Sequence, residues 1–431
     1  MKAIVFEKSL LRYVALKLLG PKRAARIATA RWNALCPVSM RDIPEPKLPT
    51  GQWVRVTPRL SGICGSDLSV ICSKGSPYLS PLTSTPFVLG HEVVGMVTEI
   101  GREVAACEDA GGLPQLSVGD RVVLEPALGC NARGIEPPCP ACARRQPALC
   151  RNVTRGNVSA GIQTGYCRDT GGGWSGGFVA HRGQVHPVPE GVSDAAAVLA
   201  EPFACVMHGV LRAQVRDEHT VLVVGCGSIG LLTIAAIRAR GSAARIIAVA
   251  KYEHQGSHAR ALGADAVLAP AGGKDRQQRY RAWAQELGAE LYHPEIGKPT
   301  VIGGADVTLD CIGSSASIDD SVRFTDAGGQ VVLVGMPGIP SNIDWTAIWY
   351  KELSLHAAYA YGPEQVDGEA GESDRTVQTW DLAIEAVQSW SEKLVRLVGE
   401  PFELSDYRRA LHAALFTGVS RSVKTVFRIS T

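Results

Sequence analysis

Thr220-Val221-Leu222-Val223-Val224-Gly225-Cys226-Gly227-Ser228-Ile229-Gly230 is an apolar run that passes into glycines spaced G-x-G-x-x-G. The run predicts a strand, and the residues from about Leu231 onward predict an apolar helix. Gly225, Gly227 and Gly230 permit a tight turn and a close approach of backbone to a pyrophosphate. Ser228 and Ile229 complete that turn, and the helix N-terminus stabilises the phosphate charge. The glycine spacing alone is a weak signal, since many tight turns share it. The strand before, the helix after and a second apolar strand at Arg245 to Val249 supply the context of a dinucleotide site.

The end of that second strand bears on which dinucleotide binds. An acid there would hydrogen-bond a ribose 2′-hydroxyl and repel a 2′-phosphate. The sequence reads Ala248-Val249-Ala250-Lys251-Tyr252, with no acid at Ala250 and with Lys251 placed to pair with phosphate. NADP is therefore favoured over NAD. The alternative is a Lys251 that points to solvent and a site that accepts either.

Outward from this unit, Val307 to Leu309 and Val331 to Val334 continue the alternation of short apolar runs with helical stretches. Residues from about 203 to 352 thus predict an α/β domain built on a doubly wound parallel sheet. Before them, Trp53 to Val56, Val93 to Ile100 and Arg121 to Leu124 are short β segments among Gly/Pro turns, which predicts a β-rich, barrel-like domain over about 1–202. Residues 353–431 are expected to return to that first domain. No internal repeat is evident.

A length of 431 residues suits two domains. Lys and Arg total 44 against 42 Asp and Glu, a balance that offers nothing for nucleic-acid binding. MKAIVFE at the start carries an acid and reads as a strand rather than a leader, and no stretch approaches the roughly 18 apolar residues of a membrane span, so a cytoplasmic location is expected. In that setting clustered cysteines point to metal rather than to disulfides.

Gly62-Ile63-Cys64-Gly65-Ser66-Asp67 and Gly90-His91-Glu92 supply a thiolate, an imidazole and carboxylates. Singly, Cys64 reads as a buried thiol and His91 as a satisfied core histidine. Together, with Asp67 in reach to orient a ligand, they read as a catalytic zinc site that keeps one position open. Cys130, Cys139, Cys142 and Cys150 form a second cluster in a Pro/Gly/Arg-rich loop, the pattern of a closed structural zinc site. Two zinc ions per chain are expected. Cys36, Cys72, Cys107, Cys167, Cys205, Cys226 and Cys311 are taken as packing thiols.

These motifs, with VGDRVV, LAEPFACVMHG, GAD and GGQVVLVGM in the same order, make the chain resemble the zinc-containing medium-chain dehydrogenase/reductases, above all the sorbitol, threonine and tetrameric alcohol dehydrogenases. The resemblance implies a Rossmann cofactor domain, a GroES-like catalytic domain and a homodimer or homotetramer. It also implies hydride transfer between a small alcohol or ketone, secondary and polyol-like or larger and hydrophobic, and NAD(P). Carried over by position, Cys64 and His91 are catalytic zinc ligands, and Glu92 and Glu201 are the carboxylates that complete the shell. Ser66 is the hydroxyl that relays the substrate proton, and Lys424 is a basic residue near the cofactor phosphates.

The chain departs from that pattern at four places. Glu136 stands where the first lobe thiolate usually falls, so Cys130 must reach in from a longer loop. Ser69 replaces a common histidine, and Ala250 replaces the usual acid. The fourth departure is an insert over about 8–41, which carries Lys8, Arg12, Lys17, Lys22, Arg23, Arg26, Arg31 and Arg41 without an acid, beside Leu10, Leu11, Val14, Leu18 and Leu19. It is expected to be a helical flap packed on the catalytic domain; the alternative is a surface helix in contact with anionic membrane. A second insert, about 270–304, is expected to be a helix and loop that decorate the nucleotide domain. Two other functions stay in view: a zinc-free enone or quinone reductase of the same fold, and a non-enzymatic zinc- and nucleotide-binding scaffold at a membrane.

Overall fold

A computed structural model of the chain describes residues 1–30, 34–105, 115–366 and 375–430. Arg31 of the basic insert and Cys107 lie outside the described residues. The chain divides into two compact units, one of Met1–Glu201 with Gln365–Thr431, the other of Pro202–Glu364.

The Pro202–Glu364 unit is built on six parallel strands. Across the sheet they run Ala266–Leu268, Arg245–Val249, Thr220–Val224, Ala305–Asp310, Thr325–Leu333 and Ser354–Ala357. Strand order reverses beside Thr220–Val224, so a crevice opens at the carboxyl end of that strand, where ligands of open α/β sheets bind. The strands are near-continuous Val, Ile, Leu and Ala because both faces are covered. Ser354–Ala357 adds to this sheet, which carries the unit's end to Glu364 rather than to the expected 352.

The 270–304 segment is more than a decoration. Its helix Arg276–Leu287 buries Tyr280, Trp283, Ala284 and Leu287 against Leu222, Val224, Ile247 and Phe324. Trp283 Nε1–H donates to Ala269 O at 2.8 Å, so the large ring is both packed and satisfied. Only the antiparallel pair Glu290–Tyr292 and Thr300–Ile302 stands outside the parallel sheet.

The other unit centres on a long strand, Trp53–Gly62, flanked by Val93–Ile100 and by Val426–Arg428. Arg121–Leu124 and Val185–Pro187 extend the sheet on one side and Phe402–Glu403 on the other. The register slips at Arg55/Val56 and at Pro58/Leu60. Pro58, which has no N–H to donate, sits at the second irregularity, which lets a central strand carry a proline. Val54, Val56, Val93, Val97, Val122 and Phe178 fill the core behind it.

The basic insert forms two helices, α1 (Leu10–Leu19) and α2 (Pro21–Thr29), with Ser9 capping the first and Gly20 turning into Pro21. Leu16, Ala24, Ala25 and Ala28 are buried in a core shared with Ile4, Phe87, Tyr407 and Leu411. The insert is thus a packed flap on the catalytic unit.

Candidate active site and metal centres

Strand pairing assembles the candidate catalytic residues. Ser61 pairs with Val93 in the antiparallel ladder, and Gly62 N–H donates to Glu92 O at 2.8 Å. The residues just beyond, Cys64 and His91, therefore leave the same end of two neighbouring strands. On the other side Gly62 pairs with Val426 and Ile63 N–H donates to Thr425 O at 2.9 Å, which brings Lys424 to the same spot.

Cys64 caps the helix Gly65–Ile71, so the motif after the strand places a thiol, a hydroxyl and a carboxylate in one turn. One Asp67 oxygen accepts the Cys64 N–H at 3.0 Å, and the other lies 3.5 Å from His91 Nδ1. The carboxylate thus holds the thiol-bearing backbone and the imidazole together. Burial works against a charged His91 ring, but Asp67 and Cys64 outweigh it and hold the ring well above the usual histidine range. The Ser66 Oγ is buried and has no hydrogen-bond partner among the described residues, as suits a hydroxyl that waits for a substrate.

Glu92 is fully buried and forms an ion pair with the equally buried Lys424. Gly62 makes this possible: a Cβ there would fall 2.1 Å from Glu92 Oε2 and 3.0 Å from the Lys424 side chain. Lys424 is thereby a counterion inside the site, not a surface group of a strand. Burial disfavours its charge, but Glu92, Cys64 and Glu201 together hold it above the usual lysine range. That coupling ties Glu201, in the first turn of the helix Ala200–Arg212, to the same cluster. The pairing of Glu92 with Lys424 across a glycine was not legible in the sequence. The Gly62 that precedes the Cys64 motif was its sole trace.

The cysteine lobe is a closed arrangement. The Sγ atoms of Cys130, Cys139, Cys142 and Cys150 all lie within 4.8 Å of one another, a closeness that no other group of three or more His, Cys, Asp or Glu reaches among the described residues. Cys130 Sγ and Cys150 Sγ are 3.7 Å apart, far beyond the roughly 2.05 Å of a disulfide. Backbone N–H groups of Cys139, Arg151, Asn152 and Cys130 point at these sulfurs from 3.3, 3.4, 3.3 and 3.3 Å. Hydrogen bonding from Cys142 lowers the Cys150 thiol below its ordinary range. Four soft donors that converge in a shell of N–H groups fit a tetrahedral zinc ion. Cys130 does reach in from its longer loop, while Glu136 is exposed. Arg133, fully buried, braces that loop by donating to the carbonyls of Leu128 (3.0 Å), Arg155 (2.8 Å) and Val158 (3.1 Å).

At the nucleotide turn, Gly225 has φ +97 and the helix Ser228–Ala239 starts at the Gly227 cap, a few residues before the expected Leu231. A Cβ on Gly230 would collide with Gly225 O at 1.8 Å, so the helix can lie against the turn only with glycine there. Ile229 lies in the first turn of that helix. Ala250 is buried at the end of its strand, and Lys251 is exposed with its ammonium 5.1 Å from the Tyr252 ring. A Cβ on Gly256 would be 3.8 Å from both Ala250 Cβ and Arg260 Nη1, so the Arg260 guanidinium folds back along its helix toward Gly256. Arg260 stands one helical turn beyond Gly256, and no motif in the sequence marks it.

Residues 50–190 match the alcohol dehydrogenase GroES-like domain and residues 228–372 the zinc-binding dehydrogenase domain. A probable D-xylulose reductase A of Aspergillus terreus is 30% identical over 324 residues, 75% of this chain and 79% of that protein. The chain belongs to the zinc-dependent medium-chain dehydrogenase family. An L-idonate 5-dehydrogenase of Vitis vinifera is 28% identical over 87% of this chain and 88% of its own length. Among solved structures, galactitol-1-phosphate dehydrogenase of Escherichia coli superposes with a TM-score of 0.68 at 20% identity, covering 99% of this chain and 100% of the other. A zinc-binding dehydrogenase of Sinorhizobium meliloti bound to NADP gives 0.64 at 23% identity, covering 91% of this chain and 96% of the other. These two likenesses speak for the fold. A dehydrogenase of this family works with zinc and a nicotinamide dinucleotide on an alcohol or ketone. Among the described residues no helix is long and apolar enough to cross a membrane.

Proposed function

We propose that this chain oxidises a secondary alcohol of the polyol or sugar-alcohol class, or reduces the matching ketone, with NADP favoured over NAD. The observation that carries the reading is the Cys64, His91 and Asp67 arrangement with the unpartnered Ser66 hydroxyl beside it. Bound there, zinc supplies a Lewis acid for the substrate oxygen, and the nicotinamide ring supplies the hydride acceptor.

The chain's own residues divide the remaining work. Cys64 and His91 would hold the ion, and Asp67, beside His91 Nδ1, would orient the ring for it. Glu92 is engaged by Lys424, which favours Glu201 as the carboxylate that reaches the ion. Ser66 accepts the substrate hydroxyl proton and passes it toward water. Gly225 to Gly230 and the N-terminus of the helix Ser228–Ala239 take the pyrophosphate. Ala250 removes the acid that would repel a 2′-phosphate, and Lys251 and Arg260 supply cations for it. The polyol class is supported by the relatives named for L-idonate and D-xylulose, and by the carboxylate pair Glu92 and Glu201. A homodimer or homotetramer is supported by the edge strand Ser354–Ala357 and by the exposed Trp345, Trp349 and Tyr350 that precede it in the chain, of which Trp349 is 80% exposed.

The test is reduced-cofactor absorbance over a panel of polyols, simple secondary alcohols and ketones, with NAD and NADP in parallel. Polyols should head the panel, and Cys64→Ser should lower kcat/KM by roughly 10³-fold, the rate equivalent of several kcal/mol. Metal analysis should find the lobe zinc retained in that variant. Alcohol-dependent activity that survives Cys64→Ser would overturn the assignment.

A further inference from the structure

The flap carries a feature that its packing does not use. In an ordinary surface helix the apolar stripe faces the core and the charged residues face water. In α1 the apolar stripe faces water instead. Leu16 alone is buried, while Leu10, Leu11, Val14 and Leu18 are 75, 83, 47 and 84% exposed. Their spacing sets them on one stripe, on the side of the helix away from Leu16. Tyr78, on the segment Pro77–Leu82 that Lys8 touches through Ser80, is likewise exposed.

α2 carries the charge. Ala24, Ala25 and Ala28 pack inward, which turns Lys22, Arg23 and Arg26 outward, and Lys8, just before α1, and Lys17 on it are exposed. The sequence from Lys8 to Arg41 holds no acid to neutralise them. An exposed apolar stripe on one helix, followed by exposed cations on the next, is a surface pattern that suits lying in the plane of an anionic bilayer. There the leucines enter the acyl boundary and the cations meet headgroups. A second copy of this chain fits poorly, because a two-fold contact would set each cationic block near its own equivalent with no acid in either segment.

We infer that α1 and α2 form a peripheral docking surface for anionic lipid. The catalytic unit would thus be held at a membrane without a spanning segment.

The full-length protein should float with vesicles of phosphatidylcholine and phosphatidylglycerol, and not with phosphatidylcholine alone. Raised salt should weaken the association, since the headgroup contribution is screened. Leu11→Ser/Leu18→Ser and, separately, Lys22→Glu/Arg23→Glu should each lower the vesicle affinity by about tenfold. Circular-dichroism melting and alcohol-dependent cofactor reduction in free solution should stay unchanged in both. Absence of flotation would overturn the inference, as would binding unaltered by the leucine substitutions. If those substitutions instead lowered the mass in light scattering while vesicles stayed unbound, the face would be a contact between copies. The catalytic reading stands or falls on the solution assay alone, so the two failures are distinguishable.

Discussion

The cysteine lobe and the proposed catalytic cluster both gather thiols suited to zinc, yet they are built in opposite ways. In the lobe, all four ligands come from one stretch of 21 residues, Cys130 to Cys150, and their sulfurs already converge within 4.8 Å. N–H groups surround the sulfurs, and Arg133 braces the loop from within. Four thiolates would fill a tetrahedral shell and leave no position for a substrate, so a zinc ion there would contribute folding stability. The catalytic cluster draws Cys64, the adjacent His91 and Glu92, Glu201 and Lys424 from four places in the chain; strand pairing brings the first, second and fourth together, and a helix brings Glu201. Its carboxylates are balanced by a buried lysine, and a hydroxyl is left unpartnered. A site that must exchange a substrate keeps an unsatisfied group and a movable charge; a site that only holds shape satisfies every atom.

The sharpest way to break this contrast is to attack the lobe. Cys142→Ser should lose one zinc per chain and several kcal/mol of stability, seen as a large fall in the melting temperature, because metal affinity there is folding free energy. A Cys142→Ser protein that melted like the parent would erase the distinction between the two centres. At the catalytic cluster the same kind of change should act on rate. Ser66→Ala should lower kcat by about 10²-fold with the melting temperature and both zincs retained, since it removes only a proton path. Asp67→Asn should lower metal affinity or activity by roughly 10–100-fold, because it loosens the group that orients His91. The mildest change lies outside both centres. Lys251→Asp should shift the ratio of kcat/KM for NADP over NAD by about tenfold toward NAD, as a cation near the 2′-phosphate becomes an anion. An unchanged ratio would assign the discrimination to Arg260 alone.

The two regions also differ in how far they could be read in advance. The lobe was legible because its ligands are local: Cys139-x-x-Cys142 with Cys150 nearby implies a metal before any fold is known. The nucleotide turn was legible for a similar reason, since strand, glycines and helix are contiguous. The site of Lys424 was legible only by position in a family pattern, which set it near the phosphates. The structure buries it against Glu92, 332 residues away, through a gap left by the missing side chain of Gly62. The Arg276–Leu287 helix was read as a decoration because its Arg- and Gln-rich face dominates the composition, whereas Tyr280 and Trp283 make it a core element. The sequence predicts a helical flap packed on the catalytic domain, which the structure forms. Alanines of α2 and Leu16 of α1 supply its packing, while Leu10, Leu11 and Leu18 stay outside.

The chain's order of residues by itself determined the parallel-sheet domain, the dinucleotide turn, the two thiol-bearing motifs and the family. Periodicity, glycine spacing and ligand spacing are properties of adjacent residues. Only the tertiary structure decided which buried acid meets which base, which helix of the insert shows its apolar side, and where one unit ends. Those depend on contacts between segments hundreds of residues apart, and burial energy distributes over them in a way that no local pattern records.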